Sequence, residues 1–335
     1  MAQKIGRIRD VARETGLSTA TISRVMNGAK NVSPETRKRV LDACSKLDYL
    51  PNPAARALST SKSRTIAAII PTIEHSIYAK YIAAIEQTLS ESGYSLVLAI
   101  SKGDDDTELQ AARKLLGMGA QAFILSGGAH SPDLMALFAR RNVPFVFSSI
   151  WDLQSEIPTI GYDNADLAYN AVEYLVHKGH REIAVLHGPL AESDRTRARL
   201  DGVLRADRED LALSFFETSL DVAGGREAVD RLRERSPNAT AVLCFSDVLA
   251  LGCYFGFMNV GLSVPDDISV MGFDNLDWSA SVLPGLTTID LPAADMGRNV
   301  AAQLVSHLES GTPVAPTHLD GVIVERASVA DLAAR

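Results

Sequence analysis

Apolar and polar positions along this chain of 335 residues fall into two textures. Up to about residue 50 the apolar positions recur at helical spacing in short bursts. From Thr65 onward, short continuous apolar runs alternate with longer amphipathic stretches. The first texture predicts a small helical unit, the second an α/β unit.

In the first unit Asp10 is placed to cap a helix containing Val11, Ala12 and Glu14. Gly16 ends that helix, because glycine enters a left-handed turn without steric cost. Ser18 caps a second helix through about Asn27, with Leu17, Ile22, Val25 and Met26 on its apolar face. Thr19, Ala20, Ser23 and Arg24 are left for the other side. Ser33 caps a third helix with Pro34 at its first position, and Val40, Leu41, Cys44 and Leu47 form its inward stripe. Two short helices around a tight turn, the second offering small polar side chains and one arginine, have the form of a helix-turn-helix that reads the major groove of DNA. The competing reading is a plain helical cap on a larger domain. Residues 49–58 predict a linker with a latent helix: Asn52 as cap, Pro53 as start, Ala54 to Leu58 as body. That is shorter than the ~12–15 residues an isolated helix needs in water, so it is expected to fold only on a partner surface. Ser59 to Arg64 form a polar stretch.

In the second unit Ile66–Ile70 reads as a buried strand, followed by a helix over about 79–92 and a strand at 94–100. A helix at 106–118, strand 122–125, helix 132–141 and strand 144–149 continue the series. The pattern restarts near Asp163 with helix 164–178, strand 182–186, a helix from about Ser193 to Arg205, helix 227–235, strand 241–245, helix 248–260 and strand 268–272. Such alternation argues for parallel sheets covered on both faces, here in two lobes. Ligands in such sheets sit beyond the carboxyl ends of the strands.

Charge sharpens this division. The net charge of −8 hides an asymmetry: residues 1–64 hold 13 of the 33 Lys/Arg and 5 of the 41 Asp/Glu. The remainder therefore carries 20 basic and 36 acidic residues. A basic head on an acidic body suggests that only the head approaches a polyanion. No apolar run reaches the ~18–20 residues needed to span a bilayer. The amino-terminal residues lack an apolar export core, so the expected location is the cytoplasm. Cys44, Cys244 and Cys253, without a Cys-x-x-Cys pair, read as reduced small hydrophobes.

No catalytic constellation assembles along the chain, and neither a metal nor a cofactor is expected. His177 and His180 lack a third ligand nearby in sequence. Gly127-Gly128 and Gly224-Gly225 lack the lysine of a phosphate loop, and there is no Gly-x-Ser-x-Gly elbow. The rival hypotheses are an enzyme, such as a sugar-modifying α/β protein with an added helical head, and a transport binding protein. Neither needs the block at residues 8–58.

That block resembles the LacI family of bacterial transcriptional regulators. The residues carrying the resemblance are Ile8, Asp10-Val11-Ala12, Gly16, Ser18, Ala20 to Val25, Asn27-Gly28, Val32-Ser33, Thr36-Arg37, Arg39-Val40, Leu47, Tyr49, Pro51-Asn52, Ala55-Arg56 and Leu58. The body continues it at Asp163-Asn164, Gly179-His180-Arg181, Arg199 to Gly202, Asp247 to Gly252, Val264 to Asp274, Leu286 to Ile289, Met296-Gly297 and Glu325 to Ser328.

The resemblance implies an α/β fold: an all-α helix-turn-helix head, then a two-lobed periplasmic-binding-protein-like domain with parallel sheets. The expected boundaries are 1–50 for the head, 51–64 for hinge helix and linker, and 65–335 for effector binding and dimerisation. Within the last, one lobe comprises about 65–161 and 292–320, the other about 162–291 and 321–335, with three crossings near 161, 291 and 321. The implied function is a sequence-specific regulator, a repressor, holding double-stranded operator DNA as a homodimer on a palindrome. The final residues are too few for a tetramerising coiled coil. Thr19, Ala20 and Arg24 would face base edges, Arg24 toward guanine. Ser18, Thr21, Ser23, Asn27, Asn31 and Thr36 would hold phosphates. Asn52 caps the hinge, Ala55 lets two hinge helices pack, and Leu58 is the wedge in the minor groove. The implied effector is a sugar or sugar acid, bound by Asp274 and Arg199, with Asp163 and Asp247 behind them. His75 and Tyr78 stand where the family often has Asn-Pro-Phe-Phe, and Ser246 replaces the usual Asn before Asp247. Arg195 and Arg197 add positive charge that favours a carboxylate or phosphate. Trp151 and Trp278 are either sugar-stacking or structural.

Overall fold

Three short helices bury one side each to make the head. These are α1 (Ile8–Thr15), α2 (Thr19–Met26) and α3 (Pro34–Lys46). The computed structural model describes residues 7–26, 29, 31–50, 63–73 and 76–334. Asn27, Asn52, Ala55, Leu58 and His75, with the latent hinge helix, lie outside the described residues. The chain divides into two compact units, Met1–Arg64 and Thr65–Arg335.

In the head, Val11, Ile22, Val25, Val40, Ala43 and Cys44 are the buried core. Gly16 ends α1 with φ at +66°, the left-handed conformation that favours glycine. Ser18 Oγ accepts from the Thr21 amide at 3.1 Å, so it caps α2. Ser33 caps α3 through the Thr36 amide, with Pro34 in the first turn. Two expectations are corrected. Asp10 is not the cap of α1: the helix begins two residues earlier, and the Asp10 carboxylate reaches back to accept from the Arg7 amide at 3.0 Å. Leu41 does not join the core; it is 48% exposed, and Ala43 takes the inward position instead.

The body begins with β1 (Thr65–Ile70), α4 (Ser76–Glu91), β2 (Ser95–Ile100), α5 (Asp105–Gly117), β3 (Ala122–Ser126), α6 (Pro132–Arg141), β4 (Phe145–Ser148) and β5 (Thr159–Gly161). The second series is α7 (Asn164–His177), β6 (Glu182–His187), α8 (Asp194–Arg205), β7 (Ala212–Glu217), α9 (Val222–Arg235), β8 (Ala241–Cys244), α10 (Asp247–Asn259) and β9 (Ser269–Met271). It closes with β10 (Thr288–Asp290), α11 (Ala293–Ser310), β11 (Thr317–His318) and β12 (Val322–Val324). One parallel sheet has the order β11-β5-β4-β3-β1-β2, the other β7-β6-β8-β9, and β10 pairs antiparallel with β12. The chain thus passes between the two lobes three times: after β5, between β10 and α11, and between β11 and β12.

Period-two alternation assigns side chains to the two faces of each sheet. Ile66, Ala68 and Ile124 on one sheet and Ile183, Val185 and Leu243 on the other belong to a single buried cluster, which ties the lobes together. Ala67, Ile69 and Phe123 face a second cluster, and Ala184, Leu186 and Val242 a third. The elements left unassigned from the pattern are the short strands β5, β10, β11 and β12, the edge strand β7, whose only fully buried position is Phe216, and α11. Helix α9 begins at Val222, five residues before the expected start; Asp221 caps it through the Gly224 amide. Gly202 is where α8 crosses α7: a Cβ there would lie 2.0 Å from the Ala165 carbonyl oxygen.

Candidate nucleic-acid interface and ligand cleft

Helix α2 packs through Ile22 and Val25, which turns Ser18, Thr19, Ala20 and Arg24 to solvent. The Arg24 guanidinium has no partner among the described residues. Thr21 and Ser23 are half-buried at the edge of this face. Asn31 is exposed, and Thr36 sits at the start of α3, where Ser33 Oγ donates to its hydroxyl at 2.8 Å. Small hydroxyls beside one long cation suit a groove about 12 Å wide, where base edges offer both donors and acceptors.

The body carries a cavity of about 470 Å³. Its wall is made largely of residues just past the carboxyl ends of strands. Thr72 follows β1, Lys102 follows β2, Ser149 follows β4, and Tyr162 follows β5. Gly188 follows β6, Ser246 follows β8, and Asp274 follows β9. Helix α4 contributes Tyr78 and Tyr81, helix α8 Arg195 and Arg199, and helix α11 Met296. This is where a parallel sheet leaves room for a ligand.

Arg199 is held on three sides. Its Nε donates to Asn164 Oδ1 at 3.0 Å and its Nη1 to the Phe245 carbonyl at 2.6 Å. Its plane lies over the Phe273 ring at 3.8 Å. Nη2 has no partner among the described residues. Burial lowers the pKa of Arg199, against the attraction of Asp274. Asp274 is buried with φ at +125°, a strained conformation for a residue with a side chain. Ser246 Oγ donates to its Oδ2 at 2.8 Å. Burial pushes its carboxyl up to about 7; Asp247 adds to the rise, while Arg199 and Ser246 oppose it.

Bonds across the mouth tie the two lobes. Asp194 Oδ2 accepts from the amides of Gly128 at 2.7 Å and Ala129 at 3.1 Å. Arg195 Nη2 donates to the Tyr78 hydroxyl at 3.4 Å and its Nη1 to Asp194 Oδ1 at 3.2 Å. Lys80 pairs with Asp277 at 2.8 Å and donates to the Asn275 carbonyl at 3.1 Å.

The cavity brings together Tyr78, Arg199, Ser246 and Asp274 among the residues expected to bind an effector. Asp163, Arg197 and Asp247 do not line it, and each has a local reason. Asp163 Oδ1 caps α7, accepting from the Ala165 and Asp166 amides at 2.9 Å. Arg197 is exposed and donates to the Leu190 carbonyl. Asp247 is fully buried beneath the site, accepting from Thr288 Oγ1 at 2.6 Å and the Leu276 amide at 2.8 Å; burial raises its carboxyl to about 6. Trp151 stacks near His318 at 5.1 Å and Trp278 packs on the third cluster, so neither ring lines the cavity. His180 gives its ring nitrogens to Thr240 and the Ala330 carbonyl. Asn164, Ser149, Tyr162 and Phe273 were missed. Each follows a strand by one to three residues, and that position alone was a usable signal.

Two family models match the chain: bacterial regulatory proteins, lacI family, over residues 7–52, and periplasmic binding proteins and sugar binding domain of LacI family over residues 63–322. The chain is 34% identical to catabolite control protein A of Priestia megaterium over 309 residues, covering 91% of this chain and 93% of that one. It is 32% identical to the HTH-type transcriptional repressor PurR of Glaesserella parasuis, covering 97% and 98%. Among solved structures it is similar to the lac repressor dimer bound to operator and the anti-inducer ONPF, with a TM-score of 0.86 and 28% identity over 98% of this chain and 100% of that one. It is also similar to a LacI family regulator from Enterococcus faecium with bound ribose, with a TM-score of 0.71 and 25% identity over 80% and 99%.

Proposed function

The chain belongs to the LacI family of bacterial regulatory proteins, a DNA-binding transcriptional regulator with a ligand-binding body, and on that premise we propose a division of labour between its two units. As a homodimer it represses by holding a palindromic operator, one head per half-site. Thr19, Ala20 and Arg24 read base edges. Ser18, Thr21, Ser23, Asn27, Asn31 and Thr36 hold phosphates, and Asn52, Ala55 and Leu58 form the hinge that kinks the operator centre. The effector is a small hydroxylated molecule of the sugar or sugar-acid class. Its hydroxyls donate to Asp274 and its oxygens accept from Arg199, beside Tyr78 and Ser246. The protein acts by binding rather than catalysis, in the cytoplasm. Among the described residues no helix is long and apolar enough to cross a membrane.

The observation that carries this reading is the meeting of Arg199 and Asp274, from separate elements, on the wall of one cavity in a chain whose head turns Thr19, Ala20 and Arg24 outward. The effector changes operator affinity only as far as it binds the operator-bound and free forms differently. Footprinting and gel shift on a palindromic site test it, with and without candidate sugars. Selective protection of the palindrome, altered by one class of ligand, is the expected result. Equal affinity for duplexes of every sequence would sink it.

A further inference from the structure

Arg195 and Arg199 stand one helical turn apart on α8, so both face the same cavity. Arg199 has two of its edges committed to Asn164 and Phe245, which leaves Nη2 for a ligand. The carboxylate beside Arg195 is Asp194, and it is already divided. One of its oxygens takes two amides from the facing lobe, and the other touches Arg195 at 3.2 Å. The Arg195 side chain is only 12% exposed. The facing lobe is shaped around it: at Gly127, where φ is +94°, a Cβ would lie 2.4 Å from Arg195 Nη1. Lys102 adds a third cation to the cavity wall, against Glu192 and Asp274. The carboxylates beside the two arginines, Asp194 and Asp274, are already engaged by the Gly128 and Ala129 amides and by Ser246, and half-enclosed guanidiniums in such a site recognise oxyanions strongly.

Resting on the reading that the cleft binds a hydroxylated effector, we propose that this effector is an anionic sugar derivative, that Arg195 and Arg199 Nη2 receive its carboxylate or phosphate, and that Arg195 selects it over the neutral sugar. Asp274 and Ser246 then hold its hydroxyl end. Arg195 is the specificity residue because the hydroxyl end is held by Asp274 and Ser246, which it does not touch.

The test is titration calorimetry on the full chain with matched probes: glucose, gluconate, glucuronate and glucose 6-phosphate, then galactose, galacturonate and galactonate, then ribose and ribose 5-phosphate. Wild type, Arg195→Gln and Arg195→Lys are compared. Expected is binding of at least one anionic probe about tenfold or more tighter than its neutral parent. Arg195→Gln should erase that preference, bringing the ratio of anionic to neutral affinity close to one whatever happens to the neutral parent's own affinity, and Arg195→Lys should restore part of it. Preference for carboxylate or for phosphate identifies which anion is used. Neutral sugars binding as tightly as their acids, with Arg195→Gln indifferent, would overturn the selection and leave the effector reading standing. No binding by any probe would count against both.

Discussion

Arginine serves opposite ends in the two units. Arg24 stands exposed on α2 with no partner among the described residues, whereas Arg199 is fixed by Asn164, Phe245 and the face of Phe273 before any ligand arrives. A fixed guanidinium has lost its rotamer freedom during folding, so a ligand meets it already oriented. A free one loses that freedom on the DNA, which costs up to about 2 kcal/mol and makes the gain depend on finding the right base. The cleft is therefore built for affinity toward a small target, and the head for discrimination among large, similar ones.

The largest effect expected breaks the cleft side of this contrast. Asp274→Ala removes the acceptor opposite Arg199. Hydrogen bonds to a charged group are each worth about 1.5–3 kcal/mol, so losing two should weaken the effector at least about a hundredfold. Operator binding without ligand should stay within about twofold if the two equilibria are separate. Calorimetry and gel shift on the same preparation check both. A retained ligand response would show that preorganisation around Asp274 is irrelevant to recognition.

Next comes the head. Arg24→Ala should cost about 1–3 kcal/mol on the cognate site, and less on a duplex changed at the base it reads. A uniform loss across sequences would make Arg24 a phosphate contact rather than a reader. Competition gel shifts with single-base variants of the operator separate the two, and effector affinity should not move.

The same contrast explains what was legible in the chain. The head could be read closely because its signals are local: Ser18 caps three residues ahead, Gly16 turns on its own φ, and Ser33 precedes Pro34. Even there Asp10 misled, since an acidic residue near a helix start serves equally as cap or as the third helical residue reaching back. The strand–helix alternation of the body was legible for the same reason, except where an edge strand such as β7 lacks a buried run. The cleft is non-local. Its wall draws on strand ends between Thr72 and Asp274 and on α11. Arg199 and Asp274 were found through resemblance, and the same route gave Asp163 and Asp247, whose carboxylates are used for a helix cap and an interior network. An acidic residue in a matching motif does not reveal in one dimension whether its oxygens are already taken.

A smaller effect follows from the burial of Asp274. With its carboxyl at about 7, the folded chain holds a proton that the unfolded chain has lost between about pH 4 and pH 7. This group's contribution to stability therefore falls as pH rises through that window. A neutral polyol donating to Asp274 needs the ionised form, so its affinity should rise about tenfold from about pH 6 to about pH 8, with a proton released on binding. Calorimetry in buffers of different ionisation heat measures that proton directly. Proton uptake, or a flat profile, would mean that the hydroxyls are not received by this carboxylate.

The smallest effect sharpens the head side by using its two caps against each other. Ser18 and Ser33 both accept from the amide three residues ahead, at 3.1 and 3.2 Å. Replacing either by alanine should cost about 1 kcal/mol of head stability, read as a lower midpoint of thermal unfolding. The two differ in what else they do. Ser18 is exposed at the start of α2 beside Thr19, where it is proposed to touch a phosphate, and Ser33 has no such part. Ser18→Ala should then weaken the operator complex a few-fold more than Ser33→Ala. The slope of affinity against salt should stay the same in both, because a neutral hydroxyl displaces no condensed counterion. Equal losses would mean that Ser18 acts on DNA only through the helix it starts. A changed slope would mean that the substitution has moved a cation of the head rather than removed one hydrogen bond.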